Sequence, residues 1–162
     1  MLDSFDSYLI GLYFGRVSLV LYLLTLVPGI CRRLRLKHPL TILLTVYRRQ
    51  VGIAMYTLAI LHVLPFFQFS LKIPTYRLFG ILGFLMLLPL FLTSNTYAVR
   101  KLKQTWKKIH QLTYPALGVI FLHTALIRWS VFSVAALVTL ILLIFSFLTE
   151  RRISLTTRGA TS

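Results

Sequence analysis

Acidic side chains are nearly missing from this chain. Asp3, Asp6 and Glu150 are the only three among 162 residues, against 18 lysines and arginines. Charge of either sign is scarce at 13%, while 57% of residues are hydrophobic. A water-soluble domain of this length needs more charge than that to cover its surface. Cysteine is almost absent too. Cys31 stands alone, so no intrachain disulfide can form, and its place at the end of an apolar run marks it as an inert interfacial thiol. Glycine-rich phosphate loops, dinucleotide fingerprints, low-complexity linkers and repeats are all lacking, and 162 residues leave no room for a flavin or nicotinamide module.

Long apolar runs are what the chain has instead. Stretches at 8–30, 50–69, 77–93, 108–128 and 131–149 approach the ~20 residues that a helix needs to cross a bilayer. They predict an all-α, polytopic membrane helical bundle of about five transmembrane helices, forming one domain over 1–162. Pro28-Gly29 is expected to close the first span, and Ile73-Pro74-Thr75-Tyr76 to turn the second into the third. Pro115, inside the fourth, should kink it. Tyr8, Tyr76, Trp106 and Trp129 fall near the expected interfaces, as an aromatic belt requires.

The net charge of +15 would suggest nucleic acid in a soluble chain, but its distribution points to lipid. Arg32, Arg33, Arg35, Lys37, Arg48 and Arg49 occupy the first loop, and Arg100, Lys101, Lys103, Lys107 and Lys108 the third. Arg151, Arg152 and Arg158 follow the last span, whereas the opposite side offers only Lys72, Arg77 and Arg128. The positive-inside rule therefore puts the N-terminus outside and the C-terminus in the cytoplasm. The basic loops should attract anionic headgroups. Acidic Asp3 and Asp6 also make the N-terminus unlike a cleavable signal, which would be basic.

Against this background the ionisable residues inside apolar runs stand out, because each costs at least a few kcal/mol at bilayer depth. His62 lies thirteen residues beyond Arg49, roughly 20 Å deep, and His123 fifteen beyond Lys108, roughly 22 Å deep. A lone membrane histidine is more often a hydrogen-bonded packing residue than a ligand. Two at one depth on facing helices are what an axially ligated heme needs. His110 lies only about 3 Å past Lys108, where the second span offers Arg48 and Arg49 rather than an imidazole. On one straight helix it would also point about 140° away from His123. His38, in the first loop, has nothing in the sequence to position it. Arg16, about 12 Å into the first span, either snorkels to the interface or pairs with a heme propionate. Arg128 is a weaker candidate for the same role.

Several local runs resemble the ferric reductase-like transmembrane domain superfamily. They are Gly15-Arg16, Leu26-Val27-Pro28 and Cys31-Arg32-Arg33-Leu34, then Arg48-Arg49-Gln50-Val51-Gly52 before His62. Thr93-Ser94-Asn95, Trp106, Ile109-His110, Tyr114 and His123 continue the pattern across about 8–149. The arginine pair before the second span looks most like the branch of heme-binding membrane subunits of bacterial periplasmic methionine sulfoxide reductases. That resemblance implies b-type heme ligated by His62 and His123, Arg16 at the propionates, and His110 at a possible second heme. Where the oxidases of the superfamily carry a further histidine this chain has Arg48, so one heme is the better-supported count.

The implied activity is transmembrane electron transfer, as the electron-transfer subunit of an oxidoreductase in a bacterial inner membrane. A separate cytoplasmic flavoprotein, carrying any flavin, or a membrane quinol would be the donor, and an acceptor would wait outside. The basic loops could dock an acidic or phosphate-bearing flavoprotein. The alternatives are a ferric-chelate reductase component and a cofactor-free membrane scaffold or assembly protein.

Overall fold

A computed structural model describes residues 2–66 and 74–159, with side chains over 8–66 and 74–153. Lys72 and Ile73, and the side chains of Asp3, Asp6 and Arg158, lie outside the described residues. Among those described there are six α-helices: α1 (Leu2–Arg33), α2 (Pro39–Val63), α3 (Thr75–Leu92), α4 (Thr96–His110), α5 (Thr113–Ile127) and α6 (Val131–Gly159). A short 3-10 turn, Leu64–Phe66, continues α2.

Four segments are long and apolar enough to cross a bilayer: Tyr8–Arg33, Pro39–Phe66, Thr75–Leu92 and Val131–Ile153. The chain is an integral, multi-pass helical membrane protein. The bounds of the expected fifth span are corrected. Residues 108–128 do not form one helix, because α4 ends at His110 and α5 starts at Thr113. At 15 residues, α5 is about 22 Å long, short of the ~30 Å hydrocarbon layer.

Proline placement accounts for other differences. Pro115 falls in the first turn of α5, where its missing N–H would have no helical partner, so the expected kink does not arise. Pro39 opens α2, eleven residues before the expected start, and the His38 ring accepts the Leu40 N–H as a cap. Arg48 and Arg49 thus lie inside a helix rather than a loop. Pro28 does not close the first span. α1 runs through it to Arg33 and ends where Leu36 N–H reaches Cys31 O (2.9 Å) around Arg35 at φ 57°.

α1 is the central helix. Leu19, Tyr22, Leu26 and Ile30, spaced three and four apart, form its buried stripe. Lipid tails are as apolar as leucine, so association rests on close packing and on polar bonds. Ser18 donates to Met55 O (2.9 Å), tying α1 to α2, and Tyr22 donates to Thr113 O, tying α1 to α5. Tyr56 stacks between Phe84 and Phe91 of α3. The two most extensive helix pairings are α1 with α2 and α3 with α5, while α2 and α5 make at most a glancing contact.

Basic residues gather at one end of this bundle. There the buried Arg33 guanidinium donates to Tyr114 Oη (2.7 Å), lies 3.8 Å from the Phe147 ring centroid and pairs with Glu150 (3.2 Å). It thereby joins α1, α5 and α6. α4, expected as a loop, is an amphipathic helix at the same end. Asn95 caps it by accepting Ala98 N–H (2.7 Å), the helix kinks at Lys103, whose φ of 45° is non-helical, and Ala98, Leu102, Trp106 and His110 are less exposed than its basic residues. Arg100, Lys101, Lys103, Lys107 and Lys108 remain exposed. Such a helix lies in the headgroup layer rather than crossing it.

The two sides of the Arg33 pair are unequal. Arg33→Met removes a buried donor from Tyr114 and a cation over Phe147, and should cost about 2 kcal/mol or more. Glu150→Gln should cost less than about 1 kcal/mol, because the Glu150 side chain is 54% exposed. Thermal melting of detergent-solubilised variants measures both, and equal losses would refute the ranking.

Candidate functional site

His62 and His123 occupy matching seats at the end of the bundle away from Arg33. The His62 ring rests on α1, with Nδ1 2.8 Å from Gly11 O. The His123 ring rests on α3, with Nδ1 2.7 Å from Tyr76 O. A carbonyl only accepts, so Nδ1 donates in both rings, and in the neutral tautomer the lone pair is on Nε2.

A glycine lies four residues beyond each accepting carbonyl. A Cβ on Gly15 would stand 2.7 Å from His62 Nδ1, and one on Gly80 would stand 2.8 Å from His123 Nδ1. Only glycine lets an imidazole lie this close to a helix backbone. The neighbouring small residues extend both approaches, since a Cβ at Gly11 would meet Phe66 at 2.7 Å and one at Gly83 would meet Ile120 at 2.9 Å.

The rings lie within electrostatic range of each other. They stand on α2 and α5, the two helices that barely touch. Two imidazoles fixed through Nδ1 on helix carbonyls are chemically able to hold a metal cofactor. Among the described residues no three histidine, cysteine or acidic side chains gather as a metal cluster.

Arg16 follows Gly15 on α1, with its guanidinium carbon 5.5 Å from the Phe132 ring centroid. This puts an exposed cation one residue from the His62 seat.

His110 is separate from the pair. It ends α4, its ring stacks on Trp106 at 4.0 Å, and its Nε2 lies 3.2 Å from Thr93 Oγ1. The Thr93 hydroxyl gives its proton to Pro89 O (2.6 Å), so its oxygen accepts from His110 Nε2–H. The expected 140° offset from His123 on a shared helix does not apply, because the chain breaks at Gln111-Leu112. Burial, with Arg48 nearby as a second cause, pushes the His110 imidazole down to about 4. His38 is used as the cap of α2.

The family described as ferric reductase like transmembrane component matches residues 14–122. This chain belongs to that family. A similar curated protein is the protein-methionine-sulfoxide reductase heme-binding subunit MsrQ of Agrobacterium fabrum (strain C58 / ATCC 33970). It is 32% identical over 100 residues, covering 54% of this chain and 46% of that protein. The chain thus spans about half the length of this relative. No solved structure matches it.

Two outcomes test the site as built. Gly15→Ala and Gly80→Ala should each cost about 1–3 kcal/mol through overpacking against the rings, while Gly52→Ala should be neutral or mildly stabilising. A Cβ at Gly52 meets nothing within 4 Å. Melting curves that rank Gly52→Ala with the other two would contradict the seats. His110 should also make stability pH-dependent. Its folded pKa of about 4 lies below the ordinary 6.5, so the unfolded chain takes up a proton first as pH falls. Stability should drop between about pH 6.5 and 4. His110→Gln should flatten that segment of a melting temperature series, and an unchanged slope would remove His110 as its source.

Proposed function

We propose that the chain is the heme-binding electron-transfer subunit of an oxidoreductase in a bacterial plasma membrane, with one b-type heme between α2 and α5. The observation that carries this reading is the pair of matched seats, each fixing Nδ1 on a helix carbonyl. His62 and His123 would hold the iron through Nε2. Heme bound there supplies a one-electron couple.

The chain's own residues set the conditions for that couple. The Gly11 and Tyr76 carbonyls orient the imidazoles and raise their basicity, which favours the ferric state. Gly15 and Gly80 keep both rings tight against their helices and limit their rotation. With His62 and His123 both holding the group, the chain would offer it for outer-sphere electron transfer rather than for substrate binding. Arg16 would meet a propionate, a pairing for which a guanidinium is well shaped. His110, with Nε2 engaged by Thr93 and no second imidazole beside it, would keep a packing role.

The basic end would face the cytoplasm and the histidine pair would lie toward the outer side. Electrons would enter from a flavoprotein or a membrane quinol and leave to an acceptor outside. The likeness to the MsrQ subunit suggests a methionine sulfoxide reductase as that acceptor.

Reduced-minus-oxidised spectra of the purified chain test the ligand assignment. His62→Ala and His123→Ala should each abolish the bis-imidazole signal, and His110→Ala should leave both the signal and the heme content per chain unchanged. Persistence of the signal in either of the first two variants would sink the pairing. Loss of half the heme in His110→Ala would overturn the single-heme count.

A further inference from the structure

We propose that the basic end of the bundle carries a binding site for a phosphate ester, in a cavity of about 600 Å³ between the C-terminal end of α1 and the first half of α2. Arg32, Arg35, Lys37 and Arg48 all line this cavity, and Pro28 and Leu36 supply apolar wall. Arg48 stands nine residues past the start of α2, about 14 Å along an apolar helix. It lies within electrostatic range of Arg32 and Arg33. Cations placed this way need an anion, and no acidic side chain lines the cavity. Glu150 is engaged by Arg33, and Asp3 and Asp6 belong to the opposite end of α1.

The chemistry of the walls selects the ligand. A phosphate ester offers several acceptor oxygens to the guanidinium groups that line the cavity, for which arginine is the preferred partner. The space exceeds what a lone inorganic anion fills, and the apolar wall suits an attached carbon body. Arg35 is a further sign of a charge kept for use. Its φ of 57° is a conformation that favours glycine, yet an arginine occupies it at the cavity wall. The level of the cavity, where two spans meet the basic belt, admits two sources of the same group: the phosphodiester of an anionic lipid and a soluble phosphate monoester.

The test uses the full chain purified in non-ionic detergent without phosphate. Native mass spectrometry measures retention of phosphatidylglycerol against phosphatidylcholine, and glycerol 3-phosphate serves as the soluble probe in melting and competition experiments. Wild type should retain one phosphate-bearing ligand per chain. The Arg35→Gln, Arg48→Gln double variant should lower retention at least tenfold. Thr41→Trp, which fills the cavity and keeps every charge, should do the same, whereas Lys101→Gln, Lys107→Gln on α4 should not. Selective phosphatidylglycerol retention that glycerol 3-phosphate cannot displace assigns the lipid source. A rise in melting temperature with glycerol 3-phosphate, together with displacement of lipid, assigns the soluble one. The proposal is overturned if neither probe binds, if the cavity variants bind like wild type, or if the α4 variant loses as much as they do.

Discussion

The hydrogen bond from a histidine Nδ1–H to a helix carbonyl is the constraint on which the rest of this structure turns. A helical carbonyl already accepts an N–H from four residues ahead, so a second donor must approach from the side. The residue four ahead is where a Cβ would block that approach. Gly15 and Gly80 remove the block, and Gly11 O and Tyr76 O then accept the rings at 2.8 and 2.7 Å. Because the bond is made by Nδ1, the tautomer is fixed and the lone pair on Nε2 is left for a metal. One register of carbonyl and glycine, used on α1 and again on α3, thus sets orientation, protonation and reactivity together.

Polar work is divided between the two ends of the bundle. The histidine end uses helix carbonyls as acceptors and glycines as clearance. The basic end is organised by Arg33, whose buried guanidinium ties three helices through Tyr114, Phe147 and Glu150. Acids are few in the chain, and Glu150 is the one that pairs with Arg33. α4 closes that end as a surface helix, and Trp106 donates to Thr93 O (3.0 Å) to hold it against α3.

Much of this was legible in the sequence, for physical reasons. Apolar runs near 20 residues leave few alternatives to helices in a membrane, and counting from basic residues paired His62 with His123. Helix ends were harder to read. Hydropathy does not mark where Pro39 starts a helix already capped by His38, so Arg48 and Arg49 read as loop residues although they lie inside α2. The α4–α5 break fell inside one continuous window for the same reason, although the four-residue spacing from Ala98 to His110 carries the amphipathic signal. The glycine seats are not legible in the sequence, because a glycine in an apolar run reads as a small lipid-facing residue. Its meaning appears only when the facing ring is known. Arg16 was legible as an anomaly, and the structure adds its place beside the His62 seat.

The central claim is that two equivalently held imidazoles present Nε2 to one metal. The most direct measurement is the ferric electron paramagnetic resonance spectrum of the purified chain, with pulsed detection of ¹⁵N-labelled histidine. The account predicts a low-spin signal with hyperfine coupling to two closely similar imidazole nitrogens. A high-spin signal, or coupling to a single imidazole, would contradict it.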